Sequence, residues 1–270
     1  MQQLFFVLVG TLRSVLNSSY PLWNGFFLSP DMKESRIGCS GFVYPGWKGK
    51  FYPADLARSK WLAHYSSKFN TVELNGTFYR FPLVKSFKTS YNATPPDFKF
   101  SVKAHKIITH SLRLKPEARE KIDTFIKIAE EGLEEKLGCI LYQMPPSFKY
   151  TEENLENILS SIPHTNQSVI EFRNPSWWNE VVYNELDKSN IIFCNNDYPG
   201  MPEEIVETKG RFYMRFHGKP VLYKSEYTLP QLKKFVKKIP AASKERYVYF
   251  NNTWFLAAIA NAMSIREMME

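Results

Sequence analysis

The chain has 270 residues, 44% of them hydrophobic and 16% aromatic, which is enough for one sizeable core, and its 23% of charged residues is the ordinary share of a folded protein and excludes a disordered one. The formal charge of +8 at pH 7 favours anionic partners, nucleic acid or phosphorylated small molecules. Three cysteines, Cys39, Cys139 and Cys194, each sit in an apolar run with no CxxC spacing, so a closed disulfide set is excluded and the thiols read as buried in a reducing, cytoplasmic compartment.

The first segment, residues 1–31, carries the apolar run LFFVLVG without a positively charged side chain before it, and the run is too short to span a bilayer. It is expected to be an N-terminal appendage to a domain that starts at Met32 and fills residues 32–270; a weak signal peptide is the alternative. No membrane association is expected. From Met32 onward eight apolar, strand-like runs recur: 36–42, 71–79, 98–103, 137–144, 168–173, 191–197, 211–218 and 246–252. Helical patterns separate most of them, at 59–69, 116–136, 151–162, 228–239 and 253–269, with weaker signals after the second, fifth and sixth strands. The long one places Ile122, Phe125, Ile126, Ala129 and Leu133 on one face. The one at 151–162 opens on Thr151 as N-cap, with Glu152 and Glu153 in the first turn, where negative charge suits the helix dipole. The lysine-rich KKFVKKI at 233–239 reads as the wet face of a helix, with a phosphate-tracking patch as the alternative.

Strands alternating with helices predict an α/β fold, a parallel eight-stranded (β/α)8 TIM-type barrel. An open nucleotide-binding sheet would show a glycine-rich first turn, and there is neither GxGxxG nor a P-loop. In such a barrel the strand faces are buried, so polar residues at the C-terminal strand ends call for explanation. The second strand gives Glu73 and Asn75, two apart and expected on one face. The third gives Lys103, followed by His105, and the fourth gives Gln143. Glu171 and Arg173 follow from the fifth strand, Asn195 and Asp197 from the sixth, Arg215 and His217 from the seventh. The eighth strand gives Asn251, with Asn252 on the other face, and the first offers Ser40. Two readings compete: a ligand site at the mouth, or a self-neutralising network in which Glu73, Glu171 and Asp197 balance Lys103, Arg173 and Arg215.

Several segments, in order, resemble the DUF72 (YecE-like) family: GCSGFVYPGWKGKFYP (38–53), FNTVELNGTFYRFP (69–82), FKFSVKAHKIITH (98–110), LGCILYQMPPSF (137–148), VIEFRNPSWW (169–178), FYMRFHG (212–218) and YFNNT (249–253). The resemblance runs from about residue 36 to the end. It implies a (β/α)8-type barrel similar to endonuclease IV-like and sugar-isomerase-like ones, with nucleic-acid binding as a suggested role and no settled activity.

The residues themselves support three hypotheses. In the first, an enzyme of hydrolase or isomerase type acts on an anionic, phosphorylated or nucleic-acid substrate. Glu73, Glu171, Asp197 and His217 are then the catalytic candidates, and Asn75, Lys103, Gln143, Arg173, Arg215 and Asn251 hold the substrate. The second is metal-assisted phosphodiester cleavage through Glu73, Glu171, Asp197, His105, His110 and His217. It is disfavoured because HxH, HExxH and DxD spacings are missing and cations intrude, so no metal or other cofactor is expected. The third is a non-catalytic nucleic-acid binder stacking bases on Tyr44, Trp47, Phe51 and Tyr52, or on Trp177 and Trp178; core packing is the bland alternative for these rings.

Overall fold

The computed structural model describes residues 34–165 and 167–269, so the expected appendage at 1–31 lies outside the described residues. All eight expected strands form: β1 (Glu34–Cys39), β2 (Thr71–Leu74), β3 (Lys99–Lys103), β4 (Leu137–Gln143), β5 (Ser168–Glu171), β6 (Ile192–Asn196), β7 (Arg211–Phe216) and β8 (Glu245–Phe250). They pair in parallel as one sheet in the order β1-β8-β7-β6-β5-β4-β3-β2. A single bridge between Ser40 and Glu73 brings the two ends together, so the barrel is nearly closed.

The helices around it are α1 (Trp61–Ser66), α2 (Val84–Asn92), α3 (Arg119–Leu133), α4 (Glu152–Ser161), α5 (Glu180–Lys188), α6 (Leu229–Val236) and α7 (Ala257–Met269). α3 buries Ile122, Phe125, Ala129 and Leu133, the stripe its spacing predicts. Thr151 caps α4 by accepting from the Asn154 N–H at 3.1 Å, and α6 opens with a capping box between Thr228 and Gln231.

No helix joins β6 to β7 among the described residues, where a weak helical pattern was read. The connecting chain is instead held against the outside of the sheet. Asn195 accepts from the Val206 N–H and donates to the Val206 carbonyl, both at 2.8 Å, and the Thr208 hydroxyl accepts from the Phe193 N–H at 3.0 Å. Asn195 therefore serves the outer face of β6 rather than the mouth.

The β1–β2 seam has one bridge where a ladder would normally run, and side chains seal the rest. The Tyr65 hydroxyl of α1 accepts from the Cys39 N–H at 2.7 Å and donates to the Thr71 carbonyl at 3.1 Å. Asn70 accepts from the Ile37 N–H and donates to the Ser35 carbonyl. Gly38 is needed for this approach, because a Cβ there would stand 2.2 Å from the Thr71 carbonyl oxygen.

Inside the barrel, period-2 alternation stacks Cys139, Leu141, Val169, Ile192, Cys194, Tyr213, Tyr247 and Tyr249 into an inner core. A larger cluster packs between sheet and helices. The tyrosines bring polar atoms inside, and they are satisfied there: Tyr249 shares hydrogens with Thr71 at 2.6 Å and Ser101 at 2.9 Å. All three cysteines are buried and free. No described helix is long and apolar enough to cross a membrane.

Candidate functional site

Above the tyrosine layer the same inward-facing parity delivers charge. Glu73 of β2, Glu171 of β5, Arg215 of β7 and, just past β7, His217 are essentially sealed from solvent. Glu73 Oε1 accepts from the Ser40 hydroxyl at 2.7 Å and from Arg215 Nη2 and Nε at 2.7 and 3.1 Å; its Oε2 accepts from the Tyr213 hydroxyl at 2.7 Å. Arg215 Nη1 reaches across to Glu171 Oε2 at 2.5 Å. Glu171 Oε1 accepts from Arg173 Nε and from His217 Nε2, both at 3.1 Å. His217 Nδ1 accepts from the Asn251 amide at 3.1 Å.

Electrostatics follow from these contacts. Burial alone would raise the Glu171 carboxyl, but Arg215, Arg173 and the His217 N–H outweigh it and hold it well below the usual carboxylate range. Arg215 is pushed the other way, well above its ordinary value, because its two carboxylates overcome the cost of burial. Burial lowers His217 to about 3, so the ring stays neutral with both nitrogens engaged. The expectation that His217 exchanges protons near neutral pH therefore gives way to a neutral ring that braces Glu171. Glu73, expected as a catalytic carboxylate, is surrounded by four donors and closes the β1–β2 seam beside Ser40.

Lys103, at the end of β3, differs from its neighbours. Its Nζ donates to Gln143 Oε1 at 2.8 Å and sits 4.1 Å over the centre of the Phe78 ring. Gln143 uses its NH2 group on the Met144 carbonyl at 2.6 Å, which leaves its oxygen for the lysine. Burial, with Arg215 adding repulsion, pulls the Lys103 amine down to about 7. Arg173 leans on the Tyr198 ring at 4.4 Å and donates to the Tyr223 hydroxyl at 3.2 Å.

Two expected members fall outside this cluster. Asp197 follows Asn196 on β6 and so points to the opposite face. It accepts from the His217 backbone N–H at 2.6 Å and from the Tyr227 hydroxyl. It lines a separate cleft of about 270 Å³ with Lys219 and Gln231. Its carboxyl is raised by burial, partly offset by those two hydrogen bonds. Asn75 does not share a face with Glu73, because β2 ends at Leu74 and Asn75 turns into a helical conformation (φ −94°, ψ −15°). Its Oδ1 is buried without a hydrogen-bond partner among the described residues. Asn75 lines a cleft of about 640 Å³ between the loops after β1 and β2, together with Tyr44, Arg58, Arg80 and Phe81. His105 packs tilted against Phe81 and His110 edge-on against Phe78, and neither hydrogen-bonds a carboxylate among the described residues. Among the described residues no three His, Cys, Asp or Glu side chains converge as a ligand set.

Of the rings expected to stack on bases, Tyr44, Phe51 and Trp178 are half-buried and the others pack fully into the fold. Trp47, Tyr52 and Trp177 are buried, and Trp177 lies between Phe172 at 4.1 Å and Phe148 at 5.3 Å. The exposed rings are others: Tyr79 after β2, Tyr223 after β7, and Trp254 and Phe255 after β8. Three residues that touch the cluster have no counterpart among the site members expected from the sequence. Tyr213 stands two before Arg215 on the same strand face, a signal that was available; Phe78 and Tyr223 come from loops, where no periodicity announces them.

A TIM-type barrel with a charged, mostly saturated floor and a cationic edge is the class that this geometry defines. The family model described as "Protein of unknown function DUF72" matches residues 36–270, and the chain belongs to that family. Among curated proteins it is similar to the UPF0759 protein YunF of Bacillus subtilis (strain 168), 27% identical, with 87% of this chain and 94% of that protein covered. Among solved structures it is similar to a DUF72 family protein of Thermotoga maritima, 33% identical with a TM-score of 0.79, covering 87% of this chain and 99% of that one. A DUF72 family protein of Enterococcus faecalis, 20% identical, shares the fold with a TM-score of 0.74 over 87% of this chain and 95% of that one.

Proposed function

We propose that this protein is an enzyme acting on an anionic substrate, phosphorylated or nucleic acid, at the C-terminal mouth of the barrel. The observation that supports this reading is how the charges are spent. Arg215, the expected anion clamp, is taken up by Glu73 and Glu171. Arg173 shares Glu171, and its Nη2 has no hydrogen-bond partner among the described residues. Lys103 has no carboxylate in ion-pair range among the described residues; its acceptor is a neutral amide. Positive charge without a full counter-charge, held by packed strands, is what an anion clamp requires. Arg173 and Lys103 hold the substrate, and the Glu73–Arg215–Glu171–His217 lattice fixes their positions.

A second reading, a single-stranded nucleic-acid binder without chemistry, has its own support. Lys50, Phe255, Trp254, Lys224 and Tyr223 form a rim of exposed rings and cations. In it Lys224 lies 4.7 Å over Trp254 and Lys50 lies 5.5 Å over Phe255. A thermal-shift panel with sulfate, a phosphorylated sugar and an oligothymidylate separates the two. A ligand at about a hundred times its dissociation constant adds roughly 2.7 kcal/mol. Stabilisation by the small anions, lost in Arg173→Ala, supports the first reading. A shift with the oligonucleotide alone, kept in Arg173→Ala and lost in Trp254→Ala, replaces it with the second. No shift with any of them removes both.

A further inference from the structure

Two lysines are deeply buried, and they are treated differently. Lys136 gives its three ammonium hydrogens to the Tyr91 carbonyl at 2.7 Å, the Thr94 carbonyl at 2.8 Å and the Thr94 hydroxyl at 3.2 Å. That is a satisfied structural cation. Lys103 is 9% exposed and, among the described residues, has one hydrogen-bond acceptor, Gln143 Oε1. A second hydrogen can face the Phe78 ring beneath it. A third has no acceptor among the described residues. The groups around Lys103 from the other elements are Gln143 of β4, Glu171 and Arg173 at β5, Arg215 of β7, Glu73 of β2 and His110. The two carboxylates among them are already occupied by guanidiniums. The surroundings therefore accommodate the neutral amine, with two hydrogens placed and one lone pair free, alongside the ammonium that a bound anion favours. Desolvation beside other cations is how a lysine becomes a nucleophile.

We propose that Lys103 is a nucleophilic amine that forms an imine with an aldehyde or ketone group of the substrate. The inference deepens the anionic-substrate reading, because it makes the substrate a carbonyl compound whose negative group rests on Arg173. In the step the Lys103 lone pair forms a bond to the carbonyl carbon, and the C=O π pair moves to oxygen. A proton passes from nitrogen to that oxygen to give the carbinolamine. The C–O bond then breaks with the oxygen leaving as water, taking the second amine hydrogen. The product is a C=N bond and one water, with no change of oxidation state. The lowered amine value agrees with this: at pH 7, on the order of a thousand times more of Lys103 is free amine than of an ordinary lysine at 10.5.

The test uses the full chain, the neutral aldehyde glyceraldehyde and cyanoborohydride, with peptide mapping by mass spectrometry. An uncharged probe makes the outcome independent of anion binding. Lys103 is expected to be labelled at least about tenfold faster than any exposed lysine at pH 7. Its rate should reach half its maximum near pH 7, whereas the exposed lysines rise only at higher pH. Lys103→Arg should lose that adduct and keep the slow background. The wild-type map needs no variant, so a poorly folded mutant leaves the test intact. Label spread over surface lysines with Lys103 unmodified overturns the proposal, as does a Lys103 rate that follows the exposed lysines with pH. Imine trapping without any anion-induced stabilisation would remove the anionic reading and leave this one; stabilisation without trapping would do the reverse.

Discussion

Replacing Lys103 by methionine is expected to stabilise the barrel, an unusual outcome for deleting a charged group. Burial and the facing Arg215 lower this amine from 10.5 to about 7. A fall of that size corresponds to about 4 to 5 kcal/mol carried against the protonated form. Methionine fills the same space without that cost. Two losses offset the gain. Gln143 Oε1 is left without its donor, at about 1–3 kcal/mol, and the contact over Phe78 goes, at about 1 kcal/mol. The net expectation is a gain of about 0–3 kcal/mol at pH 7, which raises Tm by up to roughly 10 °C. The folded-state value lies below the unfolded one, so the wild type gains stability as pH rises from about 7 towards 10.5, and the advantage of methionine must shrink over that window. Urea unfolding of both proteins at pH 7 and pH 9 measures this. Lys136→Met is the control, expected to lose about 2–4 kcal/mol because three backbone and hydroxyl acceptors lose their donor. A Lys103→Met protein less stable than the wild type at pH 7 would refute the reasoning and make Lys103 a structural residue.

Glu171→Gln leaves Arg215 and Arg173 without their shared carboxylate and is expected to cost about 3–5 kcal/mol in urea unfolding. The same change frees Arg173, so sulfate should bind about tenfold tighter by titration; unchanged affinity would take the mouth out of anion binding. Tyr65→Phe leaves the Cys39 N–H buried and unpaired and should cost about 1–3 kcal/mol, measured as a shift in urea midpoint. In acid, two groups act with the same sign. The contribution of Glu171 is full above its unfolded value of 4.5 and is lost as pH falls through its depressed folded value. His217, neutral inside and protonated when unfolded, weakens the fold as pH drops from 6.5 to about 3. Midpoints measured from pH 7 to pH 3 should decline throughout, and in His217→Gln the decline between 6.5 and 4.5 should flatten.

The barrel was legible because its strands and helices keep their own periods in alternation, and the family motifs follow in order. The missing helix between β6 and β7 was not, because Asn195 clamping Val206 is a contact between distant residues that no local pattern records. The rule that strand ends carry function anticipated which side chains converge: Lys103, Gln143, Glu171, Arg215 and His217 do lie together at one end of the barrel. It misplaced Asn75, since the strand stops one residue earlier and parity no longer holds past its end. Asp197 was misread by one step of parity, with Asn196 as the inward neighbour. What sequence could not distribute was saturation. Glu73 and Arg215 look as reactive on paper as Lys103 and Arg173. Only the distances reveal that the first pair is enclosed by opposite charges, whereas Arg173 shares Glu171 with Arg215 and Lys103 has a neutral amide for its acceptor.

The central claim is that an anion rests against Lys103 and Arg173. The most direct measurement is calorimetric titration of the full chain with sulfate, which does not itself titrate near neutrality, at pH 7 in buffers of different ionisation enthalpy. Lys103 is about half protonated there, and a bound anion favours its charged form, so binding should take up about half a proton. That uptake should vanish in Lys103→Met, and the binding itself should weaken in Arg173→Ala. Sulfate binding with no proton uptake, or no sulfate binding at all, would contradict the account.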